Sequence, residues 1–293
     1  MIFWPGGTIR SDLYKSLRLA DFHLHLFSFY HERNRRLDMA EDKLLDFRLF
    51  ADSGAFSAWT KGDEVDLDEY CAFLQYHIGY LEAYAALDVI PSSTHPDDLE
   101  KAAERSWWNY QYMLDIGLAP IPIYHYGEQR PWLNRMLDGG CRYIGLGGMG
   151  NANKEQRIAW LDSVFDYLDG SDVQVHGFGV SAINLVFRYP WYSTDSTTWL
   201  HSSSTGKVFI PHHNSEDFLF NCAPYLVHTQ ELLSTDDRAI DRWLDIVGTD
   251  RQGLHTDYVQ RRVCNAVFMR EVTAHRLEHG HKKRTSTQER FFQ

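Results

Sequence analysis

Short β-rich runs ending in Gly, Asp or His alternate with amphipathic helical stretches along most of the chain, and this alternation restricts the fold more than any single element does. Residues 22–29, 47–51, 84–87, 119–124, 142–146, 173–176, 191–194 and 207–211 read as strands. Between them Leu67, Tyr70, Cys71, Leu74, Ile78 and Leu81 share one helical face, and Leu99, Ala103, Ser106, Tyr110 and Met113 share another. Ile158, Leu161, Phe165 and Leu168 form a third stripe, which Gly170 stops. Each stripe is read as packing against a sheet. Eight such alternations and a helical remainder predict an α/β chain, a (β/α)8 TIM barrel with additional C-terminal helices. No Gly-x-Gly-x-x-Gly follows the first strand, which disfavours a dinucleotide-binding sheet. Residues 1–279 are expected to form a single barrel domain with a helical extension over about 216–279, helical at 216–233, 237–247 and 256–278, and 280–293 a polar, frayed tail.

Composition narrows the partners. The chain of 293 residues carries 29 Lys and Arg against 40 Asp and Glu, a formal net charge of −11. That argues against a basic protein that coats nucleic acid, but not against nucleic-acid chemistry, because phosphates respond to local cations rather than to total charge. A hydrophobic fraction of 44% excludes a disordered chain. Cys71, Cys141, Cys222 and Cys264 lie far apart, no signal-peptide pattern is read, and the apolar runs fall short of the ~20 residues that span a bilayer. Reduced thiols, a soluble cytoplasmic protein and no membrane partner are therefore expected.

In a barrel the residues just past each strand form the active site. Read as a ring, these tips supply Asp52-Ser53-Gly54-Ala55-Phe56, Asp88, His125-Tyr126-Gly127-Glu128, Gly145-Leu146-Gly147-Gly148-Met149, His176-Gly177-Phe178-Gly179 and Ser193-Thr194-Asp195-Ser196-Thr197-Thr198-Trp199. Helix capping accounts for any one of the aspartates Asp52, Asp88 and Asp195. Three together, each at the tip of an apolar strand, point to acid/base chemistry, because converging like charges raise each other's pKa. The glycines serve as turn formers or let a flat ligand approach the main chain, and Phe56 offers a ring to stack on it.

These segments resemble the tRNA-guanine transglycosylase superfamily. Asp52-Ser53-Gly54-Ala55-Phe56 is similar to its Asp-Ser-Gly-Gly-Tyr/Phe motif, residues 143–149 to its Gly-Gly-Leu segment and His176-Gly177-Phe178-Gly179 to its Gly-x-Gly segment, while Asp195 stands in the place of its nucleophile. The resemblance covers roughly residues 47–200 and implies a (β/α)8 barrel that exchanges guanine for a 7-deazaguanine. It implies Asp195 as the nucleophile at C1′ and Asp52 as the general acid/base. For the base it implies Asp88 on the guanine edge, Gly147 and Gly148 as backbone donors and Phe56 as the stacking ring. Ser53, His125, His176 and Gly179 complete the base-binding set, with His125 where the family carries Gln. The chemistry fits the residue types: a carboxylate can capture the oxocarbenium-like C1′, and a second can shuttle the proton as one base leaves and another enters. A base within a duplex must also be extruded to reach such a site.

The tRNA enzyme's Cys-x-Cys-x-x-Cys…His zinc spacing is absent from the sequence, and the chain has no room for the archaeal RNA-binding domain. A compact member of this kind resembles the phage DNA-guanine transglycosylases, which insert bases such as preQ0; DNA therefore ranks above tRNA, in a host cytoplasm if the gene is phage-borne. The reaction implies no cofactor. A structural zinc on His212, His213, Cys222 and His228 matches no recognised spacing. Phosphate contacts are expected from Arg33, Arg35 and Arg36 after the first strand and from Arg130 after the fourth, with Arg261-Arg262 and Lys282-Lys283-Arg284 as denser clusters, and Trp59, Trp132, Trp191 and Trp199 as rings for unpaired bases. Three rivals stand beside the exchange enzyme. The first is an amidohydrolase-like metal enzyme using His23 and His25 with His125 and His176. The others are a non-catalytic DNA-binding barrel and a glycosidase in which water resolves the intermediate.

Overall fold

The computed structural model describes residues 1–34, 44–214 and 217–280. They form a mixed α/β chain that divides into two compact units, a larger one of residues 4–14 and 23–179 and a smaller one of residues 1–3, 15–22 and 180–293. No helix among the described residues is long and apolar enough to cross a membrane. The first strand, β1 (Ile2–Pro5), precedes every run expected from the sequence. Its four residues are too few to show a period, and Pro5-Gly6-Gly7 reads as a turn.

In the larger unit β2 (Leu24–Ser28), β3 (Arg48–Asp52) and β4 (Leu81–Tyr84) pair in parallel, as do β5 (Ile123–His125), β6 (Tyr143–Gly147) and β7 (Gln174–Gly177). A parallel bridge between Ala85 and Ile121 joins the two sets, and another between Gly6 and Leu26 lies at the opposite edge. The parallel strands thus follow one another in chain order, with no reversal. Leu26, Phe27, Leu49, Phe50, Ala51, Ile144, Leu146 and Val175 are buried, the near-continuous apolar pattern of strands covered on both faces.

The three expected helical stripes fall on helices Leu67–His77, Pro96–Asp115 and Lys154–Tyr167. Asp66 caps the first, accepting from Glu69 N–H, and Asn153 with Gln156 forms a capping box on the third. The first helix stops at His77, so Leu81 opens β4 instead of extending the stripe.

The smaller unit holds β8 (Ser193–Ser196), the helix Thr198–Ser204 and β9 (Lys207–Ile210). The run expected as the eighth parallel strand is β9, and it pairs antiparallel with β12 (Tyr225–His228). Between them β10 (His212–His213) pairs with β11 (Phe218–Leu219). This corrects the helix expected over 216–233, of which only Thr229–Leu232 is helical. Pro224 drives the residue before it out of the α region, and the branched and aromatic residues after it favour extended chain. The long helices Arg238–Val247 and Tyr258–His279 match the expectation for the C-terminal part. Residues 281–293 lie outside the described residues.

One side chain organises this unit. Asn265, fully buried on the last helix, accepts from Phe209 N–H at 2.7 Å and donates to the carbonyls of Trp199 at 3.0 Å and Lys207 at 3.2 Å. Asn265→Ala leaves those buried main-chain groups without this side chain, and a loss of about 2–3 kcal/mol is expected, read as a lower denaturant midpoint at unchanged slope.

Candidate active site

Asp52 ends β3, and the chain turns at once into the short helix Ala55–Trp59. Gly54 makes that turn possible: its φ is +78°, and a Cβ there would lie 2.6 Å from Tyr30 Cβ and still closer to Ser28 Oγ. Within the turn Gly54 N–H donates to Asp52 Oδ2 at 3.1 Å, and Ala55 N–H donates to Ser53 Oγ at 3.2 Å. Ser53, fully buried, passes its own hydroxyl proton outward to Asp88 Oδ1 at 3.1 Å.

Asp88 is not a helix cap, because the following helix begins at Pro96 and is capped by His95. Its second oxygen faces His125 Nε2 at 2.9 Å, and His125 Nδ1 faces Glu128 Oε1 at 2.9 Å. The His125, Glu128 and Asp88 side chains are only 7%, 5% and 12% exposed. A carboxylate oxygen can only accept, so a histidine flanked by two carboxylates carries a proton on both nitrogens. Burial opposes the charge on His125, but Glu128 and Asp88 outweigh it and raise the pKa to about 10. The cluster therefore carries one cation between two anions.

The sequence of the β5 tip explains the pairing with Glu128. Glu128 N–H donates to His125 O, closing a four-residue turn whose third residue, Gly127, has φ +94°. That turn folds Glu128 back onto the imidazole three residues earlier. The ring lies against Gly147 and Gly148, where an added Cβ would approach His125 carbons to 3.2 Å, so these glycines make room for the histidine. Gly148 is nevertheless exposed, leaving its main chain open to a ligand. Below the two acids Tyr70 donates to Ala85 O at 2.8 Å, and burial, with the Asp52 and Asp88 charges adding, holds its hydroxyl well above its ordinary pKa. A cavity of about 10 Å³, room for about one water, borders Asp88, Glu128, Ser106 and Trp132.

Other candidates separate clearly. Phe56 is 61% exposed beside Trp59 at 45%, their rings 5.9 Å apart. Trp132, Trp191 and Trp199 are buried in the core and offer no exposed ring to a base. His176 is buried against Phe50 and Phe178, and Gly179 is exposed with φ +69°. Asp195 is buried on β8 of the smaller unit.

Arg33 pairs with Asp63 at 3.1 Å and lies over the Tyr30 ring, while Arg130 donates to Ser163 and lies over Tyr167. Arg35, Arg36 and Lys282-Lys283-Arg284 lie outside the described residues. Arg261 donates to three main-chain carbonyls and Arg262 is buried, which corrects their reading as a phosphate-binding cluster.

Among the described residues no group of three or more His, Cys, Asp or Glu is arranged to hold a metal ion. His212 packs on Tyr225, His213 faces Asp237, His228 caps the helix Thr229–Leu232, and Cys222 points to Leu219 O. The His-x-His pair is also split. His23 is exposed near Asp46, whereas His25 is fully buried, bonded to the Tyr14 hydroxyl at 2.6 Å and to Gly7 O at 3.1 Å.

The chain matches no protein-family model and no curated protein sequence. Glu128 stands among the strand-tip residues read from the sequence, but its pairing with His125 leaves no trace there beyond an acid three residues after the histidine across a Tyr-Gly turn.

Two outcomes follow from this geometry. Gly54→Ala should cost at least about 2 kcal/mol, from positive φ and the clash with Tyr30, seen as a lower melting temperature. Burial lowers the His25 pKa to about 4, so between its ordinary value of 6.5 and 4 only the unfolded chain takes up that proton. The contribution of His25 is complete above pH 6.5 and falls by about 3 kcal/mol as the pH drops to 4. Denaturation series of wild type and His25→Gln should differ by that slope over this range.

Proposed function

We propose that the chain is a base-exchange glycosyltransferase that replaces guanine in DNA with a 7-deazaguanine derivative such as preQ0, built on a (β/α)8 barrel. The observation that carries this reading is the link from Ser53 to Asp88. The same turn that starts at Asp52 and projects Phe56 also fixes the neighbouring strand's acid, so Ser53 stands between a proton-transfer group and a base-edge acceptor. The order of parallel strands in the larger unit, unbroken from the Gly6 bridge to β7, agrees with a barrel wall.

In this mechanism an Asp195 oxygen bonds to C1′ as the C1′–N9 bond breaks, and Asp52 gives its proton to the departing base. The entering base then returns a proton to Asp52 as its N9 bonds to C1′ and the Asp195–C1′ bond breaks. Two displacements retain configuration at C1′. Asp88, an acceptor held by Ser53 and His125, takes the N–H edge of the base. Phe56, exposed at the mouth of the turn, supplies the stacking face.

The test is mass spectrometry of nucleosides after the protein, a labelled 7-deazaguanine and either DNA or tRNA are incubated. A labelled deoxynucleoside from DNA is expected. Asp195→Asn and Asp52→Asn should each lower incorporation by about a thousandfold or more while DNA binding persists. Incorporation into tRNA alone would correct the substrate, and incorporation into neither would overturn the reading.

A further inference from the structure

We propose that His125 and Glu128 are positioning residues that set base specificity: gripped by Glu128, the His125 ring keeps Asp88 an anionic acceptor turned toward a ligand edge with two adjacent N–H donors. The inference rests on the base-exchange reading and names what makes its site select guanine-type bases. Asp88 receives one donor on each oxygen, Ser53 at 3.1 Å and His125 at 2.9 Å. Each carboxylate oxygen has a second lone pair, so the group still offers two acceptors side by side. Guanine and its 7-deaza relatives present N1–H and a 2-amino group, which match that pair. Hypoxanthine presents only N1–H, and adenine presents an acceptor at N1.

The match depends on both Asp88 oxygens being held as acceptors, and the charged His125 ring 2.9 Å away holds one of them so. His125 in turn is buried, and burial alone would strip its charge, as it does for His25. Glu128 prevents this, at 2.9 Å from the other ring nitrogen. Glu128 thus acts on the ligand through two intermediates, Asp88 and His125, without touching it.

Glu128→Gln separates charge from shape, because the amide oxygen can still accept from His125 while the anion is gone. The expected result is a rise of about tenfold in KM for the entering guanine or 7-deazaguanine, with kcat within about twofold and a comparable loss of discrimination against hypoxanthine. His125→Leu should raise KM and loosen discrimination in the same direction. If wild type exchanges bases and both variants keep its KM and its discrimination, this inference falls and the base-exchange reading stands. If wild type neither binds nor incorporates a guanine-type base, both fall. Should the variants fail to fold, nitrogen NMR of the wild-type imidazole at pH 8.5 decides: two protonated nitrogens on His125 are expected, and a neutral ring overturns the proposal.

Discussion

A run of hydrogen bonds from Ser53 through Asp88 and His125 to Glu128 crosses the tips of three neighbouring strands, and the geometry of the candidate site depends on it. Strand tips in a parallel sheet are joined to helices by short loops, and nothing in the sheet ladder itself fixes the side chains there. Here a cation enclosed by two anions does so. Such a cluster is expensive to desolvate, but once formed it resists change, because deleting one member strands a buried charge at a cost of about 3–5 kcal/mol. The turns that serve it are specified locally. Gly54 lets Ser53 reach Asp88, and Gly127 lets Glu128 fold back on His125.

Two buried histidines of the larger unit, His25 and His125, show how far neighbours decide protonation. His25 meets a tyrosine hydroxyl and a main-chain carbonyl; burial prevails and the pKa falls to about 4. His125 meets two carboxylates, which overcome the same penalty and raise the pKa to about 10. A neutral His25 is a packing element that ties the start of the sheet to the Gly6–Gly7 turn. A charged His125 changes what the adjacent acid offers to a ligand. The distinction lies in contacts between residues distant in sequence, Tyr14 with His25 and Asp88 with His125.

This marks how much the sequence could reveal. Apolar runs and helical stripes located seven of the strands and the main helices, because periodicity reports burial directly. They missed β1, four residues without a period, and β10, β11 and β12, the last two read as helix, and they placed β9 in the parallel series because an apolar strand looks the same whichever partner it takes. Asp52, Asp88 and His125 were legible as tip residues. Their division of labour was not, since it depends on Ser53 Oγ and on a turn closed between His125 and Glu128. Arg261 and Arg262 read as an exposed basic pair, yet the helix Tyr258–His279 turns one onto main-chain carbonyls and buries the other.

The charge balance acquires a more definite meaning in the base-exchange reading. A chain at −11 must bind a polyanion locally, and several described arginines are already engaged, Arg33 with Asp63, Arg130 with Ser163 and Tyr167, Arg261 with main-chain oxygens. What the β3 tip presents instead is aromatic: Phe56 and Trp59 exposed side by side, with Lys61 and Arg33 both over the Tyr30 ring. Bases gain about 1–3 kcal/mol each from stacking on such rings, and this gain does not depend on releasing counterions. An extruded base approaching Asp52 would therefore be drawn by stacking more than by phosphate attraction. In that reading the exposed rings at the β3 tip, and not a surplus of cations, would hold the unpaired base.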